Sequence, residues 1–333
     1  MADRSAAGRR GAPASLRFEE MTRTERVRAA LGGEPVDRLP VCFWRHFKPE
    51  GSGRRLADAS LRFFDETFDL DLVKLMPDIP YPFPRGGIRE PGDWRLLEPI
   101  DRERSRFFAQ RVEAVSVLRD ELGFDTPVIV TIYGPLTEAL AFAGRDRFLA
   151  HALEASPLVH EGLSVIAENL RAHIRDVMAA GADGVFLALQ GCSADVMPAA
   201  QYRELGRPYD LLALQGAADG WLNVLHLHGE RDLLLDQVLD YPVQALSWSD
   251  RRSGAGLRDV HGVTTKCLMG GWDEAGVITT GPASAILAEA QDAVRQTRGR
   301  RLILAPGCSV PDDTDERWLH AAREAADQVD LDA

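Results

Sequence analysis

Eight short apolar runs punctuate this chain: Leu39–Trp44, Leu72–Pro77, Val128–Tyr133, Gly184–Gln190, Asn223–His228, Ala245–Ser249, Thr265–Met269 and Leu302–Pro306. Each has the length of a buried strand rather than of a helix. Between them run longer stretches with apolar residues at i, i+3 and i+4. These are Asp101–Leu122, Arg147–Ala180 with a break near Pro157, Ala199–Ala217, Arg231–Leu239, Ala283–Gln296 and Thr314–Gln328. An opening helix over Arg23–Leu31 has Thr22 or Thr24 as its cap and Gly32-Gly33 as its stop. Strands separated by crossover helices pair in parallel, and eight such units close into a single (β/α)8 TIM-type barrel of the α/β class. A doubly wound open sheet is the rival architecture. The stretch Tyr81–Pro99, rich in Pro and Gly, predicts an insertion after the second strand with a short hairpin at Trp94–Leu97.

Composition narrows the class without choosing a function. The 333 residues are long enough for one large barrel, and 45% hydrophobic with 27% charged residues describes a globular protein with a substantial core. Residues 1–19, rich in Ala, Gly, Arg and Ser, read as a disordered tail, and residues 20–333 as the barrel. A net charge of −12 argues against nucleic acid or an anionic membrane surface as partner. No apolar run approaches the roughly 18 residues of a membrane span, and the start lacks a secretory apolar core, so the cytoplasm is the expected compartment. Cys42, Cys192, Cys267 and Cys308 are widely spaced with no Cys-x-x-Cys pair, which speaks against a disulfide framework.

Chemistry on such a barrel sits at the C-terminal ends of its strands. Those ends carry Arg45-His46, Asp78, Tyr133, Gln190 with Cys192, His226 and His228, Ser249-Asp250, Gly270-Gly271 and Cys308. Alternation puts His226 and His228 on one strand face, with Leu225 and Leu227 on the other. Cys308 follows the last strand in a Pro-Gly-Cys turn. Two imidazoles and a thiolate are ligand types Zn²⁺ prefers, and three protein ligands leave one position open for chemistry. The competing reading makes the histidines hydrogen-bonded residues of a polar barrel mouth and the cysteine a small buried hydrophobe. Glu230 or Asp250 are candidates for a fourth ligand or for orienting an imidazole. Arg45 can grip a substrate carboxylate with its planar fork, or simply be ion-paired. Asp78 can serve catalysis or cap a loop. Cys42, Cys192 and Cys267 read as structural.

Several of these segments resemble the uroporphyrinogen decarboxylase superfamily. The matching stretches are Thr22–Leu31 followed by Pro35–Val41, Gly181–Val185, Leu268–Asp273 and Leu304–Thr314. The resemblance spans about residues 20 to 330 and implies a distorted (β/α)8 barrel. One branch of that superfamily removes carboxylates from a tetrapyrrole without a cofactor. Another contains zinc-dependent methyltransferases, which move a methyl group between a corrinoid carried by a partner protein and a thiol such as coenzyme M. The second branch is marked by His-x-Cys on the fifth strand and a Cys in the eighth-strand Pro-Gly-Cys turn. Its positions fall here on His226, His228 and Cys308, with His in place of the first Cys. The decarboxylase branch carries Arg-Gln-Ala-Gly-Arg after the first strand and an Asp after the second. Here Arg45 keeps the first Arg, Pro49 replaces the second, and Asp78 falls at the Asp. Its eighth-strand His is missing, and its Tyr has no counterpart near Ala141 or Phe142.

The expectation is therefore zinc-dependent methyl transfer to a small thiol, with His226, His228 and Cys308 as metal ligands and Arg45 holding an anionic tail. The first alternative is a metal-independent decarboxylase acting on a carboxylated substrate through Arg45 and Asp78. The second is a non-catalytic tetrapyrrole- or corrinoid-binding module.

Overall fold

The computed structural model describes residues 20–47, 52–82, 87–102 and 104–332. The tail expected over residues 1–19 lies outside them, as do Lys48, Pro49 and part of the proline-rich insertion. Seven parallel strands form one sheet in chain order: β1 (Val73–Leu75), β2 (Val128–Tyr133), β3 (Gly184–Leu189), β4 (Val224–Leu227), β5 (Ala245–Trp248), β6 (Cys267–Trp272) and β7 (Leu302–Pro306). All are buried apart from the end of β2, as expected where helices cover a parallel sheet from outside and side chains fill it from inside.

The first predicted strand, Leu39–Trp44, is reduced to a single parallel bridge between Val41 and Leu304. It still occupies the eighth place. Cys42 N donates to Leu304 O (2.9 Å), Leu304 N to Pro40 O (2.8 Å), and Asp71 N to Val41 O (3.0 Å). The segment thus joins β7 to the approach of β1, and the fold is a distorted TIM-type barrel. It does not ladder fully because the Val41 N–H goes to the Asp71 carboxylate at 2.8 Å instead of to a backbone partner. That carboxylate is wholly buried and also receives Arg26 and Arg38, each at 2.6 Å. Arg26 comes from the opening helix Arg23–Gly32, which begins with a Thr22/Glu25 capping box and ends at left-handed Gly33.

Outside the sheet the helix expectations need several corrections. The break expected near Pro157 is present, at Ala155 between Arg145–Glu154 and Ser156–Ala179, whereas the Ala199–Ala217 stretch, expected unbroken, breaks at Gly206. The hairpin at Trp94–Leu97 is instead a 3-10 turn, Pro91–Leu96, whose buried Trp94 donates to His151 Nδ1 at 3.1 Å. No helix forms over Arg231–Leu239 beyond a short turn at Leu235–Gln237. Its first half is instead tied to the 192–194 segment by an antiparallel bridge between Ser193 and Leu233: Ala194 N donates to Asp232 O (2.8 Å) and Leu234 N to Cys192 O (3.1 Å). Helices Gly53–Ser60 and Pro135–Ala143 were not anticipated. Gly270-Gly271, expected just past the end of the Thr265–Met269 strand, lie inside β6 opposite Leu304 and Ala305. A side chain on Gly270 would meet Asp250 Oδ1 at 2.6 Å, so glycine lets β6 pass that carboxylate. Among the described residues, no helix is long and apolar enough to cross a membrane.

Candidate metal centre

Strand β4 places His226 between Ala188 of β3 and Ser247 of β5. The strand's course continues one step, since His228 N donates to Leu189 O at 3.0 Å. Both imidazoles therefore stay on the same side, as period-two alternation requires. His226 is buried; His228 opens to the mouth. Cys308 arrives from the turn after β7, where Gly307 N donates to Trp272 O at 3.1 Å. A Cβ on Gly307 would come within 2.5 Å of the Ser249 Cα and 2.8 Å of Glu274 Oε2. Only a glycine lets this turn lie so close to the end of β5.

The three side chains converge. One donor atom from each of His226, His228 and Cys308 lies within 4.8 Å of the others. Cys308 Sγ is 3.6 Å from His228 Nδ1. Zn–N and Zn–S bonds at tetrahedral angles separate an N and an S donor by roughly 3.5 Å, so this spacing already suits a shared cation. Burial alone would raise the pKa of Cys308, but hydrogen bonding and charge from His226 outweigh it and hold the thiol below its ordinary value. Burial also pushes His226 down, the Cys308 contact opposing it. Thiolate and neutral imidazole are the forms a metal needs. Ser247 Oγ, 3.2 Å from His226 Nδ1, and the Phe186 ring, stacked at 5.1 Å, fix the buried imidazole.

The cluster forms one wall of a cavity of about 200 Å³, also lined by Trp44, His46, Lys74, Met76, Tyr133 and Phe186. Lys74 is its least expected member. This ammonium is fully buried, 4.3 Å from the Phe186 ring centre and 4.7 Å from that of Trp44, with Met76 Sδ at 3.3 Å. It makes no ion pair among the described residues. Burial pushes its pKa down to about 7, against the opposing pull of Cys42, Cys308 and Asp78. A cation this deep without a carboxylate is costly unless a ligand brings an anion.

Arg45 and Asp78 do not line this cavity. Arg45 turns outward to Glu316 (3.1 Å) and lies over Phe63. Asp78 stands behind His46, its Oδ1 2.6 Å from His46 Nδ1 and its Oδ2 accepting from Phe47 N at 2.9 Å. Glu230 is exposed and pairs with Arg252, while Asp250 accepts from Gly271 N. Closer in character to an orienting carboxylate is Glu274, which pairs with the Ser249 hydroxyl and keeps a buried Oε2 with no partner. Its charge bears on both His228 and Cys308. Lys74 was hidden within an apolar run, where its alternation with Met76 was the available signal; Glu274 carried none.

Fold and site define a TIM-type barrel with a cation-ready His₂Cys cluster at its strand ends. The chain belongs to the uroporphyrinogen decarboxylase (URO-D) family, whose model matches residues 71–329. Among curated proteins it is 26% identical over 355 aligned positions to "Methylcobamide:CoM methyltransferase MtaA" of Methanosarcina barkeri, covering 93% of this chain and 99% of that protein. A second MtaA, from the Fusaro strain, matches to the same extent. In fold it is similar to a methyltransferase from Methanosarcina mazei (TM-score 0.73, 23% identity, 93% and 99% of the two chains). It is also similar to a putative vitamin-B12-independent methionine synthase from Listeria monocytogenes (TM-score 0.56, 13% identity, 88% and 97%). The two MtaA relatives put the chain with the corrinoid methyltransferase branch of the superfamily. The decarboxylase expectation gains no support from them, nor from the positions of Arg45 and Asp78.

Proposed function

We propose that this protein transfers a methyl group from a corrinoid, carried by a partner protein, to the sulfur of a small anionic thiol, with Zn²⁺ held by His226, His228 and Cys308. The observation that carries the reading is the convergence of those three donors, at metal-ligand spacing, on the wall of a cavity. Zinc in such a site supplies Lewis acidity, lowering the pKa of a thiol that takes the open position.

The chain's own residues do the rest. Ser247 and Phe186 hold His226 in one orientation. Lys74 receives the anionic end of the substrate against the faces of Trp44 and Phe186. This is the role expected of Arg45, moved to the residue that faces the cavity. A volume of about 200 Å³ suits a small thiol and falls below the roughly 300–1,000 Å³ of ordinary ligand pockets. A corrinoid cannot enter it, so the methyl donor has to be presented at the mouth, as a partner protein would do. With His228 where the branch has Cys, the donor set holds one thiolate rather than two. The site is then more positive by one charge, which favours thiol ionisation and holds the resulting thiolate more tightly.

Purified zinc-loaded protein incubated with methylcobalamin and 3-mercaptopropionate tests the reading. The expected product is the S-methyl thioether, formed with loss of the methylcobalamin absorbance. Failure to form thioether from any small thiol would overturn it.

A further inference from the structure

The pairing of His46 with Asp78 has no place in the chemistry described so far, yet it has the geometry of a proton-transfer dyad. Asp78 Oδ1 is 2.6 Å from His46 Nδ1, and Asp78 Oδ2 is held by the Phe47 N–H at 2.9 Å. The carboxylate side chain is only 5% exposed, so it is fixed from two directions. A carboxylate only accepts hydrogen bonds, which makes Nδ1 the protonated nitrogen and leaves the lone pair on Nε2. No described residue occupies that nitrogen, and His46 lines the same cavity as His226, His228 and Cys308.

We propose that His46, oriented by Asp78, is the base that takes the proton from the incoming thiol. The inference rests on the methyl-transfer reading. The S–H bond breaks with its electron pair staying on sulfur, and the proton passes to His46 Nε2. That sulfur pair then forms the S–CH₃ bond as the bond from the methyl group to its donor breaks, the bonding pair leaving with the donor. His46, 38% exposed at the mouth, can then hand the proton to solvent.

The other titratable groups facing the cavity are less suited. His226, His228 and Cys308 are committed as ligands. Burial raises Tyr133, which removes it as an acceptor at neutral pH. Lys74, between Trp44 and Phe186, is taken up by the substrate's anionic end, and as the partner of that anion it keeps its proton. Arg45, the neighbour of His46, is paired with Glu316 and cannot accept. His46 alone joins a free lone pair to a route to water.

The test compares methyl transfer to 3-mercaptopropionate by wild type, His46→Gln, Asp78→Asn and Lys74→Met from pH 6 to 10. Metal content and thiol affinity are measured alongside, by elemental analysis and calorimetry. His46→Gln is expected to keep its metal and its thiol affinity while losing about 100-fold in kcat/KM at pH 7. The deficit should shrink towards pH 10, as a growing share of the free thiol is already ionised. Asp78→Asn should show a smaller loss of the same shape, on the order of 10-fold. Free imidazole should restore part of the rate to His46→Ala. A pH-independent loss or an unchanged rate in His46→Gln would overturn the assignment. Absence of methyl transfer in the wild type at every pH would overturn the methyl-transfer reading itself, and this proposal with it.

Discussion

The ammonium of Lys74 lies 4.3 Å from the centre of the Phe186 ring, and that same ring stacks on the imidazole of His226. One aromatic side chain therefore touches both the buried cation and the buried metal-ligand candidate. Substrate charge and substrate sulfur would be read across a single ring, which sets a short distance between the two ends of any thiol that fits.

Replacing Lys74 separates these functions. Lys74→Met is expected to raise KM for 3-mercaptopropionate by about 10- to 150-fold, since one desolvated charge contact is worth roughly 1.5–3 kcal/mol. KM for uncharged 2-mercaptoethanol should be unchanged. Binding of propane-1-sulfonate, an anion with no thiol, should weaken in wild type as pH rises through about 7, because only the protonated amine attracts it. In Lys74→Met that pH dependence should vanish. Calorimetric titration of both proteins checks each outcome.

The same lysine shapes stability. Its folded-state pKa is pushed down to about 7, while an unfolded lysine sits near ~10.4. Between those values the unfolded chain binds the extra proton, so stability should rise with pH across this window and level off above it. Below about 7 both states hold the proton and the penalty is constant. Urea melts at pH 7 and pH 9.5 should differ in the wild type and converge in Lys74→Met. The variant should also be more stable at pH 7, by about 1–4 kcal/mol, the range seen when apolar groups replace buried charges.

Gly307→Ala tests how the cysteine is delivered. The added methyl would sit 2.5 Å from the Ser249 Cα, so the turn must move and carry Cys308 with it. Overpacking of this kind costs about 1–3 kcal/mol. Metal affinity, measured by competition with a chromophoric chelator, should drop well beyond what that destabilisation alone explains.

Arg45→Ala is expected to change little. Its ion pair with Glu316 is partly exposed, 23% and 53% for the two side chains, and such pairs contribute about 0–1 kcal/mol. Thiol KM and melting temperature should both stay close to wild type. Arg26→Ala, in contrast, leaves buried Asp71 short of a partner, and breaking a buried pair costs about 3–5 kcal/mol. Chemical denaturation of the two variants distinguishes these cases.

The strand-end positions were the legible part of this molecule. His226, His228 and Cys308 sit where period-two alternation and strand length put them, so their convergence followed once the runs were placed around a barrel. Lys74 was obscured because a single lysine in an apolar run reads as tolerated noise, and only burial reveals its lack of a counter-charge. Asp78 was visible but its role was not: whether a carboxylate faces substrate or orients a neighbouring imidazole depends on a 2.6 Å contact between separate segments. The weak first strand and the missing 231–239 helix have the same origin. In each, a tertiary hydrogen bond outcompetes the local pattern, from the Val41 N–H to the Asp71 carboxylate in one and from the Ala194 N–H to Asp232 O in the other.

Zinc K-edge X-ray absorption on the purified protein tests the central claim most directly. The account predicts one zinc per chain with two nitrogen neighbours at roughly 2.0–2.1 Å and one sulfur at roughly 2.3 Å, the sulfur lost in Cys308→Ala and a second sulfur gained on adding thiol. A shell of oxygen alone, or one unchanged by removal of Cys308, would contradict it.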